Sequence, residues 1–97
     1  MLTIKKETKD GVITLALEGR LDTNTAPELE GELKDVNSGD LVFDLAKLDY
    51  ISSAGLRVFL SVQKRIKSAG SMKLINVIED VMEIFEVTGF TDILDIE

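Results

Sequence analysis

Two adjacent serines, Ser52 and Ser53, lie in LDYISSAGL (Leu48 to Leu56), where an apolar strand-like run gives way to an apolar helix-like one. Hydroxyls at such a passage can serve as a nucleophile, a turn, a helix cap or the acceptor of a covalent group. A nucleophilic serine needs a base, and the chain has no histidine. No Ser-x-x-Lys spacing surrounds the pair: Ser53 is followed by Ala54, Gly55, Leu56 and then Arg57, and a G-x-S-x-G elbow is also missing. No catalytic residue is therefore assigned, and the protein is expected not to be an enzyme. With no cysteine either, there is neither imidazole nor thiolate for a metal. A metal would have to rest on scattered carboxylates: Asp22, Asp44, Asp49 and Asp92. Asp44, inside an apolar strand, is the most unusual of these, and an outward or end-of-strand acid explains it more simply than a ligand. Ser38-Gly39-Asp40 and Ala69-Gly70-Ser71 match no phosphate-binding loop, so no cofactor and no metal are expected.

The cap and the acceptor remain. Serine is among the best N-cap residues, because its oxygen accepts from an otherwise unpartnered N–H of the first turn. A cap does not exclude a second role. A phosphate attached at a helix start meets free N–H groups and the positive end of the helix dipole. It would add a charge of about -1.5 to -2 to an acidic surface. A partner docked over this patch would meet new bulk and new repulsion, with no rearrangement of the fold.

The elements that must position the serines follow from periodicity. Leu2 and Ile4 suggest a short edge strand, and Asp10-Gly11 a hairpin turn. In GVITLALEG, Ile13, Leu15 and Leu17 alternate with Thr14, Ala16 and Glu18, a period-2 strand. Thr25 with Glu28 has capping-box form, Pro27 suits the first turn, and Leu29, Leu33 and Val36 supply an apolar face; Asn37-Ser38-Gly39 is the expected stop. Leu41 to Leu45 reads as a strand buried on both faces. After the serines, Leu56, Phe59, Leu60 and Ile66 form a helical stripe. Val58 and Val62 lie beside it, either widening the buried stripe or facing a partner. Ala69-Gly70 closes that helix, Met72 to Val77 is a strand, and Glu79 to Val87 a helix ended by Thr88-Gly89-Phe90. The order is β-β-α-β-α-β-α, with an optional short strand over residues 93–96. That is an α/β sheet, mixed because it begins with a hairpin.

Ninety-seven residues, 44% of them apolar, allow a single domain over residues 1–97 with one core. A net charge of -7 disfavours nucleic acid, and the basic Lys64, Arg65 and Lys67 suit the end of a helix. No apolar run reaches the ~18 residues of a membrane span. MLTIKKETKDG lacks the layout of a signal peptide, so a cytoplasmic location is expected.

The hairpin, the G-R-L-D at Gly19 to Asp22, the S-S-A-G-L after an apolar strand and the V-T-G-F at Val87 to Phe90 together resemble the STAS domain. The branch they resemble is the bacterial anti-sigma factor antagonist, and the likeness covers almost the whole chain. It implies a STAS-like (SpoIIAA-like) fold, a single-layer mixed sheet with helices packed on it. It also implies a function in transcription regulation. The unphosphorylated antagonist binds an anti-sigma factor that is itself a serine kinase, freeing a sigma factor; phosphorylation breaks that complex, and a metal-dependent Ser/Thr phosphatase restores it. The family pattern D-S-[ST]-G-L puts the phosphate on the first hydroxyl after the acid, which corresponds to Ser53. Ser52 stands in place of the acid and is the less favoured acceptor; Ala54 stands where the second hydroxyl would be. Asp22 matches a partner-binding position, and Ser52, Ser53, Ala54, Gly55 and Val58 complete the expected contact surface. The alternative is a STAS subunit of a transport or signalling assembly with no switch, its serines only capping a helix.

Overall fold

The computed structural model describes residues 1–36 and 39–97; the helix stop expected at Asn37 and Ser38 lies outside the described residues. Strands β1 (Leu2–Lys9) and β2 (Val12–Leu21) form the expected hairpin, turned by Asp10 and Gly11, both at positive φ. Helix α1 (Ala26–Leu33), β3 (Gly39–Ile51), α2 (Ser53–Ile66), β4 (Gly70–Ile75), α3 (Glu79–Val87) and β5 (Asp95–Ile96) follow, with one 3-10 turn at Phe90–Asp92. Helix α3 has the bounds read from the sequence, and Gly89 after it is left-handed at φ 78°.

Among the described residues the sheet is five-stranded, in the order β1-β2-β3-β4-β5. The β1–β2 pair is antiparallel and the other pairs are parallel. Each parallel crossover advances by one strand in the same direction. Since such crossovers are right-handed, all three helices fall on one face of the sheet. That face carries the core: Leu15, Leu17 and Leu21 of β2, Leu41, Phe43 and Leu45 of β3, and Met72 and Leu74 of β4 meet Leu29 and Leu33 of α1, Phe59 and Val62 of α2, and Phe85 of α3. Phe59 joins three elements, lying edge-on to Phe43 at 5.0 Å between centroids and 6.3 Å from Phe85. On the opposite face Lys5 and Lys47 flank Glu18 at 3.3 and 3.5 Å, and the Lys5 contact first of all holds the Glu18 carboxyl below its ordinary pKa.

Strand β3 is longer than the sequence suggested, thirteen residues instead of the five from Leu41 to Leu45. The reason lies in its register. Ala16 pairs with Asp44 but Glu18 with Lys47, and Gly19 pairs with Leu48 but Arg20 with Tyr50. Each step inserts one extra residue into β3, a bulge that breaks the period-2 pattern while keeping the strand in the sheet. Buried positions therefore run Leu41, Phe43, Leu45 and then Leu48 and Ile51. Asp44 fits this irregularity: its Oδ1 accepts from the Ala46 N–H at 3.1 Å and from Asn76 Nδ2 at 3.2 Å.

Candidate functional site

The bulged end of β3 delivers the serine pair. Ile51 is paired with Leu21, the last residue of β2, and both are buried. The next N–H, that of Ser52, donates to the Leu21 carbonyl at 2.9 Å, tying the β3–α2 passage to the start of the β2–α1 loop. Ser52 is extended (φ -101°, ψ 175°) and is the N-cap of α2; its Oγ accepts from the Gly55 N–H at 3.4 Å. Ser53, the first helical residue, is exposed, and among the described residues its hydroxyl makes no hydrogen bond. The two hydroxyls are therefore unequal. One is half-buried and engaged, the other open to solvent and unengaged.

Gly55 sets how closely the helix start approaches the sheet. A Cβ there would lie 2.7 Å from Leu21 Cγ and 2.9 Å from Ile51 Cγ1. Those distances are too short for ordinary contact, so only glycine lets α2 rest on the two strand ends. Ala54 is half-buried beside it and packs against the core.

Across the passage, Asp22 is organised by its own loop. Its Oδ1 accepts from the N–H groups of Asn24 (3.0 Å) and Thr25 (3.1 Å). The Thr25 hydroxyl accepts from the Asp22 N–H at 2.8 Å and lies 2.8 Å from the Arg20 carbonyl, to which it donates. The Thr25 N–H is the leading cause that holds the Asp22 carboxyl below its ordinary pKa. This pairing corrects the capping box expected for Thr25 and Glu28. Thr25 is the N-cap of α1 by position, but its side chain caps nothing. Its backbone is helical (φ -99°, ψ -18°) instead of extended, which turns the hydroxyl back into the loop.

Val58 departs from the expected contact surface. It is 1% exposed and Val62 2%, and both belong to the core on the side of α2 that meets α1. A 14-residue helix packed on both a sheet and another helix needs an apolar arc wider than one stripe, and these valines supply it. The tertiary contacts of two arginines were not read from the sequence. Arg20 stacks on the Tyr50 ring, its guanidinium carbon 4.2 Å from the centroid, with Nε 3.8 Å from Asp22 Oδ2. The register pairing of Arg20 with Tyr50 was the hidden signal, invisible without the bulges. Arg65 reaches from α2 to the end of α1, donating from Nη2 to Leu33 O at 2.6 Å and from Nε to Val36 O at 3.1 Å.

Among the described residues no cluster of acids could hold a metal ion, and no helix is long and apolar enough to cross a membrane. What the fold and site define is a small α/β protein with helices on one sheet face. Its distinctive surface is a helix start with one open hydroxyl beside an ordered acidic loop. The family model described as the STAS domain matches residues 3–97. The chain belongs to the STAS domain family. It is 41% identical over 91 residues to a protein of Bordetella bronchiseptica named as a candidate anti-sigma factor antagonist, BtrV, covering 90% of this chain and 78% of that one. It is 34% identical over 96 residues to the anti-sigma-B factor antagonist of Bacillus subtilis, covering 96% and 86%. The solved structure of an anti-sigma factor antagonist from Mycobacterium paratuberculosis superposes with a TM-score of 0.88 at 25% identity, covering 99% of this chain and 85% of that one.

Proposed function

We propose that this protein is an anti-sigma factor antagonist of the bacterial cytoplasm, a binding module that catalyses no reaction and is switched by phosphorylation of Ser53. Unphosphorylated, it binds an anti-sigma factor that is also a serine kinase, through Asp22 and the start of α2 at Ser52, Ser53 and Ala54; Gly55, expected as a further contact, is buried and instead sets how that start rests on the strand ends. In the switching step the Ser53 oxygen attacks the γ-phosphorus of ATP on the kinase, ADP leaves, and the hydroxyl proton passes to a base of the kinase. A metal-dependent Ser/Thr phosphatase hydrolyses the ester and restores the binding form.

One observation carries the choice of acceptor. Ser53 is exposed and unengaged, whereas Ser52 is half-buried with its oxygen occupied as the α2 cap. An acceptor oxygen must be reachable by ATP in the active site of another protein, and modifying Ser53 leaves the cap bond in place. The ester adds about two negative charges to a chain already at -7. On the docking surface that opposes binding through repulsion and bulk.

The test is incubation with the cognate kinase and ATP, followed by intact mass and site mapping. A gain of one phosphate at Ser53 is expected; Ser53→Ala keeps partner binding but cannot be switched off, and Ser53→Asp binds more weakly. Phosphate found only elsewhere, or none, would sink the acceptor assignment and favour a STAS subunit of a transport or signalling assembly in which Ser52 simply caps a helix.

A further inference from the structure

Arg57 is an exposed cation with no ion pair or side-chain hydrogen bond among the described residues. Lys9, Lys34, Lys64 and Lys67 share that state among the described residues, but the other two arginines, Arg20 and Arg65, are both engaged. The sequence of α2 explains it. On a helix surface a side chain meets those three and four positions away, which for Arg57 are Ala54 and Leu60, Ser53 and Ser61. None is acidic, and the first turn of α2 carries no acid at all. Ser53 and Arg57 are both exposed, one turn apart on the same helix.

We infer that Arg57 is the intramolecular receiver of a phosphate on Ser53: it pairs with the modified side chain and helps hold it along the α2 surface. The inference rests on the reading of Ser53 as the acceptor and deepens it by naming what the phosphate does within the chain. A phosphoserine supplies the acid that the i, i+4 position lacks, with the negative group on the N-terminal side of the positive one, the favoured orientation. Arginine suits the role because its planar fork can offer two N–H donors to two phosphate oxygens. Arg20, the other cation near the serines, is already engaged by the Tyr50 ring and Asp22. The pairing has a regulatory consequence. In the unmodified protein Arg57 is open to a carboxylate of a partner; in the modified protein its charge is taken up by the phosphate.

The experiment uses the full chain with phosphoserine installed at position 53 during translation, so that no kinase is needed. The second ionisation of the phosphate is followed by phosphorus NMR in the wild-type background and in Arg57→Gln, Arg57→Lys and Arg20→Gln. An i, i+4 ion pair of a few tenths of a kcal/mol predicts a second ionisation constant roughly two- to threefold larger in wild type than in Arg57→Gln. Arg57→Lys is expected to keep most of that difference and Arg20→Gln to leave it intact. Equal titration in wild type and Arg57→Gln overturns the inference, as does a loss confined to Arg20→Gln. Neither result depends on whether a kinase modifies Ser53, so an error in the acceptor shows in the mass-mapping experiment and an error about Arg57 shows here.

Discussion

At the scale of single residues, the two serines divide the labour that one position was expected to carry. Ser52 holds a cap bond and, through its N–H, the junction with Leu21. Only the cap depends on the side chain, so Ser52→Ala is expected to destabilise the fold by about 0.5–1 kcal/mol, the lower part of the range for N-caps, since the bond is long at 3.4 Å. Ser53→Ala removes an exposed hydroxyl that makes no hydrogen bond among the described residues and is expected to change stability by less than about 0.5 kcal/mol. Urea unfolding of both variants checks the contrast. A Ser53→Ala protein as destabilised as Ser52→Ala would mean that its hydroxyl also serves the fold, which would weaken its claim to be a free acceptor. Asp22 is the opposite case, a surface acid whose carboxylate completes its own loop with Thr25. Its carboxylate is held in place as a fixed charge by Asn24 and Thr25. That division was not visible in G-R-L-D and N-T-A-P alone, because a capping box and an Asp–Thr loop pairing use the same residue types.

At the scale of elements, the meeting of α2 with the ends of β2 and β3 decides whether the site exists. Gly55 permits that meeting: a methyl group there would press on Leu21 and Ile51. Gly55→Ala is expected to cost about 1–3 kcal/mol by overpacking, offset in part by the better helix propensity of alanine. Because the helix start must lift from the strand ends, partner binding should fall by more than the stability loss explains. Thermal unfolding and affinity measured on the same variant separate the two effects. The helices and the hairpin were legible in the sequence because each repeats its pattern over several turns or pairs. The extension of β3 to Ile51 was not. Two bulges shift the phase of its buried residues, so Leu48 and Ile51 read as irregular hydrophobics. The core role of Val58 was hidden for a related reason: periodicity shows that a helix has an apolar arc, but the width of the arc depends on how many neighbours it meets. Arg65 shows the same limit for polar groups. A cation late in α2 is legible as a partner for its own helix dipole, whereas its bonds to the carbonyls of Leu33, the last residue of α1, and of Val36 just beyond it depend on tertiary placement.

At the scale of the molecule, placing every helix on one sheet face concentrates stability and function in α2. Its outer side starts with Ser53 and Arg57, and its inner side carries Phe59 between Phe43 of β3 and Phe85 of α3. Phe59 is fully buried, and no other aromatic ring bridges two others among the described residues. Phe59→Ala is expected to cost about 3–5 kcal/mol through lost burial and a cavity that three elements cannot close together. A domain of this length has roughly 5–15 kcal/mol in total, so the variant would spend a large part of it and unfold at a much lower urea midpoint. Urea titration with two probes, near-ultraviolet and far-ultraviolet circular dichroism, tests this. Coincident but lowered transitions are expected, since one core joins all the elements. A tertiary signal lost well before the helical one would mean instead that α3 and the end of the sheet come away separately. That outcome matters for the site: Leu21 and Ile51 would then still hold the start of α2 while the far side of the core opened. Partner binding by Phe59→Ala, measured below its unfolding transition, would show which of the two ends of α2 the docking surface depends on.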